Sequence, residues 1–475
     1  MSTFPKLTRS SPRVVYRFGP MSNNTDVCHY LARLTHQIGE TRFAADDCLL
    51  VRQHLLDALA AAFIGCRGKA FDDLIRLCPR VPDGCGWPGS NGERIHPLDA
   101  GMAWAFAIHG SVFEDGSREG ACHPAAAVVP ALIALGRGKD WQTLDRAAIA
   151  GFDVMVRLAR SGNPAFTRKG FHPTSITAPF GAAAAASVLL GLDLLQTQSA
   201  LCLAAMGCGG LMASFKSGET EPLQVGWSVR NGLMAAMMAG SGHLGYPRMI
   251  EEGFYNAYLG SAVAVPIDQP LEYEYAIRCC YLKPYPGCRH VHPSIDAVAQ
   301  ILEANEIFPA QIKKIRVKTY RVAVETEIHS LNSRGDAYFS IPYALAARLV
   351  LGTSDWDAFD EHHFSNRAII ETMKKIELLV DPEVDSLYPR QRGAIVEVHS
   401  ADGSVRSAKV SCPLGEPENP LPVSVTRDKF RLASRGLLSG SDMDRMEAVL
   451  NLDGPPGALD AVLDGAVANA EAVRK

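Results

Sequence analysis

Five consecutive alanines, Ala182 to Ala186, lie inside a segment from Gly181 to Leu190 that is predicted as a helix. Small side chains on a buried helix face let helix axes approach closely, which favours a compact multi-helix bundle. The neighbouring sequence has the same texture. From Asp47 to Cys66 the apolar positions Val51, Leu55, Leu59, Ala62 and Phe63 recur at helical spacing, with Asp46 or Asp47 to cap the start and Gly65 to end it. Further helices are predicted over His96 to His109, Ala125 to Leu135, Asp145 to Arg160, Leu194 to Ala205 and Pro222 to Gly240, with Gly, Pro or Asp between them.

The texture changes after about Val265. Lys314 to Val324 is rich in β-branched residues with near alternation, and Ala394 to His399, Asp402-Gly403 and Ser404 to Cys412 read as a β-hairpin. A helix from Ser340 to Gly352 falls between them. Helices return over Arg427 to Leu450 and Leu459 to Val473. The fold class is therefore mainly α with a smaller α+β domain. The division is a leader over 1–22, a discontinuous helical domain over 23–265 and 413–475, and the small α/β domain over 266–412.

At 475 residues the chain can hold two or three domains, and 47% hydrophobic with 21% charged residues is an ordinary globular balance. No uninterrupted apolar run approaches the roughly 18 to 20 residues that span a bilayer, the longest being Gly181 to Leu192, so no membrane is expected. A net charge of −4, with Lys and Arg spread along the chain, lacks the basic stripe that tracks phosphates, and no nucleic acid is expected. The twelve cysteines include no Cys-x-x-Cys, which points to reduced thiols, a cytoplasmic location and no metal. Lys6, Arg9, Arg13 and Arg17, without any acid in the first 20 residues, also fit an organellar import segment, although a disordered leader is the preferred reading.

Polar residues gather in Gly- and Pro-framed loops, the usual seats of chemistry. His109 to Pro124 carries Glu114, Asp115 and His123, a carboxylate pair and an imidazole that could meet in one loop, although taken alone the segment reads first as a solvated charged turn with His123 capping the next helix. Lys169 to Gly181 presents His172 before Ser175 and Thr177, which suits either an anion site or simple capping. Ser214 to Gly226 and Asp336 to Tyr343 are further polar loops. Lys283 to Asp296 gathers Lys283, Arg289, His290 and His292, stiffened by two prolines, and fits a carboxylate substrate or a solvated basic turn. No Gly-rich phosphate cradle, Gly-x-Ser-x-Gly elbow or His-Glu-x-x-His helix is present, so spacing alone reaches an acid/base enzyme or a binder of a small anion.

Several of these segments resemble the MmgE/PrpD family, which includes 2-methylcitrate dehydratase, cis-aconitate decarboxylase and iminodisuccinate epimerase. They are FHPTSITAPFGAAAAAS followed by LLGLD, TEPLQVGWSVRNGLMAAMMA, GFYNAY, KPYPGCRHVHPSID and FSIPYALAARLVLG, within a likeness running from about residue 25 to 470. The resemblance implies a large helical domain, a smaller α/β lid, a site in the cleft between them and a homodimer. It implies His123, His172, Lys283 and Tyr343 at the substrate, with Asp115 as a partner that sets a histidine tautomer. Glu114 replaces the first aspartate of the family's adjacent pair, Val112 stands where its leading aspartate is usual, and Gly116 where a threonine follows. The family's Thr-Lys-Pro-Leu-His becomes Thr220, Glu221, Pro222, Leu223 and Gln224, so a lysine that would meet a carboxylate is an acid here. Lys216, on the same loop, is a second source for that charge. Cys288 replaces a histidine of some decarboxylases, and Arg289 and His292 complete the implied binding set.

The implied activity is that of a lyase without cofactors, which removes water from a small hydroxy acid by β-elimination. His123 and His172 would share the acid and base roles, in either order, Lys283 would stabilise the carboxylate or enolate, and Tyr343 would donate a proton or orient the substrate. Decarboxylation or epimerisation of a small polycarboxylate, or silent binding of a small acid, are the alternatives.

Overall fold

The computed structural model describes residues 26–451 apart from 91, 261–265, 305–306 and 329. The leader over 1–22 and the helix expected at Leu459 to Val473 lie outside the described residues. The seven helices expected in the first 260 residues all form, over Ala45–Gly65, Pro97–Gly110, Ala125–Leu135, Trp141–Gly162, Pro173–Leu190, Leu194–Ala205 and Leu223–Gly240. A further helix, Val27–Glu40, precedes them and is capped by the Asp26 side chain.

Helix Pro173–Leu190 starts eight residues earlier than its alanine run suggests. Proline at the first helical position needs no N–H partner and has its φ already set, so His172 becomes the residue at the helix entrance. The helix packs against Trp141–Gly162, Ala125–Leu135, Leu194–Ala205 and Leu223–Gly240, and all five alanines are fully buried. The extra turns make it, like Ala45–Gly65, long and apolar enough to match a bilayer, but 89% and 78% of the two apolar stretches are buried inside the protein.

The C-terminal segment packs against this bundle, on helix Ala45–Gly65. Its helix is split into Val423–Ser434 and Gly440–Glu447, because Gly436 takes a left-handed conformation (φ 77°) and Ser439 caps a new start. Phe430 meets Phe63, with ring centroids 6.1 Å apart, and Lys429 Nζ donates to Asp57 Oδ1 at 2.6 Å.

The small domain is a four-stranded mixed sheet with spatial order Ile376–Val380, Ile312–Thr319, Ala394–Ser400, Val405–Val410. The first pair is parallel and the others antiparallel, and the Asp402-Gly403 hairpin forms with Val405 opposite His399. The strand expected over Lys314 to Val324 stops at Thr319. Arg321–Glu325 is helical despite its valines, with the Arg321 N–H donating to Asp385 Oδ1, so tertiary contacts override local β preference. Helix His292–Ala304 packs on the hairpin strands, and helix Ile341–Leu351 packs on that helix.

Each domain has its own apolar core. The helical core extends to Tyr275, Ala276, Ile277 and Cys280, while the second runs from Val291 to Val410. The change of core thus falls later than residue 266. The Ala276 N–H donates to Asp153 Oδ2 at 2.9 Å and holds this stretch on the bundle. The connection between the two cores carries Lys283.

Candidate active site

Helix Pro97–Gly110 ends at a loop that is bent back sharply. Val112 adopts φ 52°, a strained conformation for a β-branched residue, and its carbonyl accepts both Lys283 Nζ and the Gly287 N–H at 3.0 Å. Glu114 is thereby buried against His109, whose Nδ1 lies 2.9 Å from Glu114 Oε1, while Lys283 Nζ lies 3.7 Å from Glu114 Oε2. Gly116 is required by close approach, since a Cβ there would stand 2.3 Å from the Tyr281 hydroxyl; the family's threonine would not fit beside this tyrosine. The loop closes at His123, whose Nδ1 is 2.5 Å from the Asp115 carbonyl oxygen.

A second pair of loops brings His172 to the same place. The His172 N–H donates to Gly210 O, and the Met212 N–H to Gly170 O. Gly210 adopts φ 144° and a Cβ on it would stand 2.3 Å from Ser175 Cβ, so only glycine permits this clasp. His172 Nδ1 then meets Ser175 Oγ at 2.8 Å and Gln224 Nε2 at 3.1 Å. Glu221, at the start of helix Leu223–Gly240, turns inward. Its Oε1 accepts from Gln224 Nε2 at 2.7 Å and lies 3.5 Å from His109 Nε2 and 3.7 Å from His172 Nδ1. The His109 ring is 5.5 Å from that of His123 and 5.2 Å from that of His172.

Burial and charge give the three histidines different protonation. Burial would lower His109, but the carboxylates of Glu221 and Glu114 outweigh it and raise this imidazole to about 10. His123 is lowered to about 4 by burial, against the pull of Glu114. His172 is lowered to about 3 by burial, reinforced by charged His109. Burial would raise Glu221, yet the neighbouring His109 holds it down at about 2. At neutral pH the cluster thus contains a cationic His109 between two carboxylates, beside two neutral imidazoles.

Other sequence-derived candidates sit differently. Asp115 is fully buried, but its carboxylate accepts from the Ala125 N–H and pairs with His54 Nδ1, both at 3.0 Å; it orients His123 through its backbone carbonyl. Tyr343 is not brought to the cluster. Its hydroxyl donates to Ala358 O at 2.8 Å, and its ring packs on Phe359 and Phe364 in the small-domain core. Arg289 and His292 are bound to each other, Arg289 Nη1 to His292 Nδ1 at 2.8 Å, and Arg289 also grips Glu416, Pro413 O and Leu414 O. Cys288 donates its N–H to Tyr338 O. Lys216 is exposed, and Glu221 pairs inward with His109 and His172, so the lost lysine charge is not supplied from that loop.

Sequence reasoning missed His109, because a histidine closing an apolar helix carries no motif. It missed Lys429 too, whose Nζ donates to Asp57, Phe113 O and Lys283 O and so braces both site loops from the C-terminal segment.

Donor atoms of His109, His172 and Glu221 all lie within 4.8 Å of one another, as metal ligands can. His109 is nevertheless bonded to carboxylates on both sides, and the Gln224 amide reaches both Glu221 and His172. Protons already account for the arrangement. Asp26, Cys28 and Glu251 form a similar group, in which Asp26 and Glu251 cap helix Val27–Glu40 through the His29 and Val27 N–H groups.

Residues 31–265 match the MmgE/PrpD N-terminal domain and residues 285–453 the MmgE/PrpD C-terminal domain. Among curated relatives, the cis-aconitate decarboxylase of Homo sapiens is 26% identical over 85% of this chain and 86% of its own length. That of Mus musculus is 25% identical over 84% and 85%, and that of Aspergillus terreus 24% identical over 90% and 93%. The first match contains His109, Glu114, His123, His172 and Glu221, Lys283 falls in the short gap between the two matches, and the chain belongs to the MmgE/PrpD family.

Proposed function

We propose that this protein is a lyase acting on a small carboxylic acid, abstracting a proton beside a carboxylate and expelling water. The observation that carries this reading is the pair of imidazoles held neutral at ordinary pH, His172 buried and His123 partly buried, next to the buried ammonium of Lys283. Such a reaction needs an unprotonated base at the carbon and a cation for the charge that moves onto the carboxylate. Decarboxylation is a second reading, favoured by the relatives named cis-aconitate decarboxylase. It passes through a similar stabilised carbanion but needs a proton delivered rather than removed.

Glu221 sets the substrate class. A carboxylate facing the cluster disfavours a third substrate carboxylate, so we assign a substrate with fewer carboxylates, or with a hydroxyl or cationic group at that end. The expected homodimer is supported by an exposed stripe on helix Leu223–Gly240, Trp227, Met234 and Met238, which a second copy could cover.

Incubating the protein with 2-methylcitrate, citrate, cis-aconitate and a crude metabolite extract, while following enoate absorbance and mass, tests these readings. Loss of water supports elimination and loss of carbon dioxide supports decarboxylation. Binding without any change of mass or configuration would replace both with a silent acid-binding protein.

A further inference from the structure

The hydrogen bonds around His123 and His172 fix which nitrogen of each ring holds the proton. A backbone carbonyl can only accept, so the contact between His123 Nδ1 and Asp115 O requires Nδ1–H and leaves the lone pair on Nε2. His172 is held in the opposite sense. The Leu211 N–H can only donate and takes Gln224 Oε1 at 2.9 Å, so the amide NH2 must face the cluster. There it lies 3.1 Å from His172 Nδ1 and 2.7 Å from both Glu221 Oε1 and Ser214 Oγ, and Ser214 directs its own hydrogen to Leu211 O. The two amide hydrogens serve Glu221 and Ser214 and an amide nitrogen cannot accept, so a proton on His172 Nδ1 would find no acceptor in Gln224. The Ser175 hydroxyl has His172 Nδ1 as its one hydrogen-bond partner among the described residues. Nδ1 is therefore the bare nitrogen and accepts the Ser175 hydroxyl, and the proton of the neutral ring is on Nε2.

We propose that His123 alone carries the substrate proton, while His172 remains neutral and donates its Nε2–H to the charge developing on a substrate oxygen, with Gln224 and Ser175 as positioning residues. The inference rests on the lyase reading and narrows it. In the elimination, the carbon-bound proton passes to His123 Nε2 and the C–H electron pair moves into the enolate. As the C–O bond breaks, that pair forms the carbon–carbon double bond, and the His123 imidazolium returns its proton to the departing hydroxide, which leaves as water. No proton leaves His172. Releasing Nε2–H from a ring already bare at Nδ1 would create an imidazolate, and its two neighbours are weak donors that cannot replace that proton. A neutral imidazole that donates without transferring acts as a preorganised electrophile, and it needs no reorganisation when charge appears.

Long-range proton–nitrogen correlation on protein labelled with 15N-histidine tests this directly, with signals assigned through His123→Gln and His172→Gln. At neutral pH, His123 should show Nδ1–H with bare Nε2, and His172 the reverse. Gln224→Glu replaces the donor with an acceptor and should move the His172 proton to Nδ1, leave His123 unchanged and lower kcat at least about 100-fold with little change in KM. Gln224→Met adds no second carboxylate beside Glu221, so it serves if the first variant does not fold. In it Ser175 alone should keep most of His172 as Nε2–H, and kcat should fall by about tenfold. Nδ1–H on His172 in the unaltered protein, bare Nδ1 on His123, or an unmoved His172 proton in folded Gln224→Glu would overturn the inference. The tautomers need no substrate, so failure to turn over any acid refutes the lyase reading without deciding this one.

Discussion

Two buried clusters in this molecule contain the same kinds of residue: His109, His123, His172, Glu114, Glu221 and Lys283 in one, and Arg289, His292, Glu416 and Arg118 in the other. In the second, the Arg289 guanidinium meets Glu416, His292 and two backbone carbonyls and lies 4.7 Å from the centre of the Tyr281 ring, while His292 Nε2 and Glu416 Oε2 are buried without a hydrogen bond. In the first, the Nε2 atoms of His123 and His172 carry no protein hydrogen bond among the described residues. Both clusters thus keep a ring nitrogen without a partner and differ hardly at all in composition; what separates them is access, since the His123 side chain is 23% exposed and His292 is fully buried.

The sharpest way to break that comparison is His123→Gln, which should reduce kcat by about 100- to 10,000-fold in a folded protein. The wild-type pH profile extends it. Since His123 is neutral above about 4, kcat/KM for proton abstraction should rise about tenfold per pH unit below that point and stay level to neutrality. A rate that falls as pH rises through the same point would mean that the imidazolium delivers a proton, as decarboxylation requires.

Arg289→Met should do the opposite in kind. It leaves Glu416, only 1% exposed, without its closest cation, an expected loss of about 3 to 5 kcal/mol in denaturant unfolding. The folded fraction should keep kcat within about tenfold; a selective collapse of kcat at unchanged stability would move Arg289 into the site.

Glu221→Lys should strengthen binding of a tricarboxylate relative to a dicarboxylate by roughly 1 to 4 kcal/mol, the Coulomb scale for charges about 4 Å apart. Tight tricarboxylate binding by the unaltered protein, measured by calorimetry, would remove the charge-preference reading. The smallest expected effect is that of a strong chelator, under which activity should be unchanged; loss that zinc or iron restores would assign the His109, His172 and Glu221 donors to a metal.

Helix positions and the hairpin were legible in the chain because periodicity and turn residues record burial locally. His123, His172, Lys283 and Glu221 could likewise be picked out as candidates from their motifs and resemblance. Which of their atoms the fold leaves open could not. That Asp115 works through its carbonyl, that Tyr343 and Arg289 face inward to their own core, and that His109 becomes the cation between Glu114 and Glu221 are outcomes of tertiary structure. Residue type sets what a side chain can donate or accept. Which of those capacities remain free depends on partners such as Glu221 for His109 and Glu416 for Arg289, 112 and 127 positions away, and folding alone brings them together.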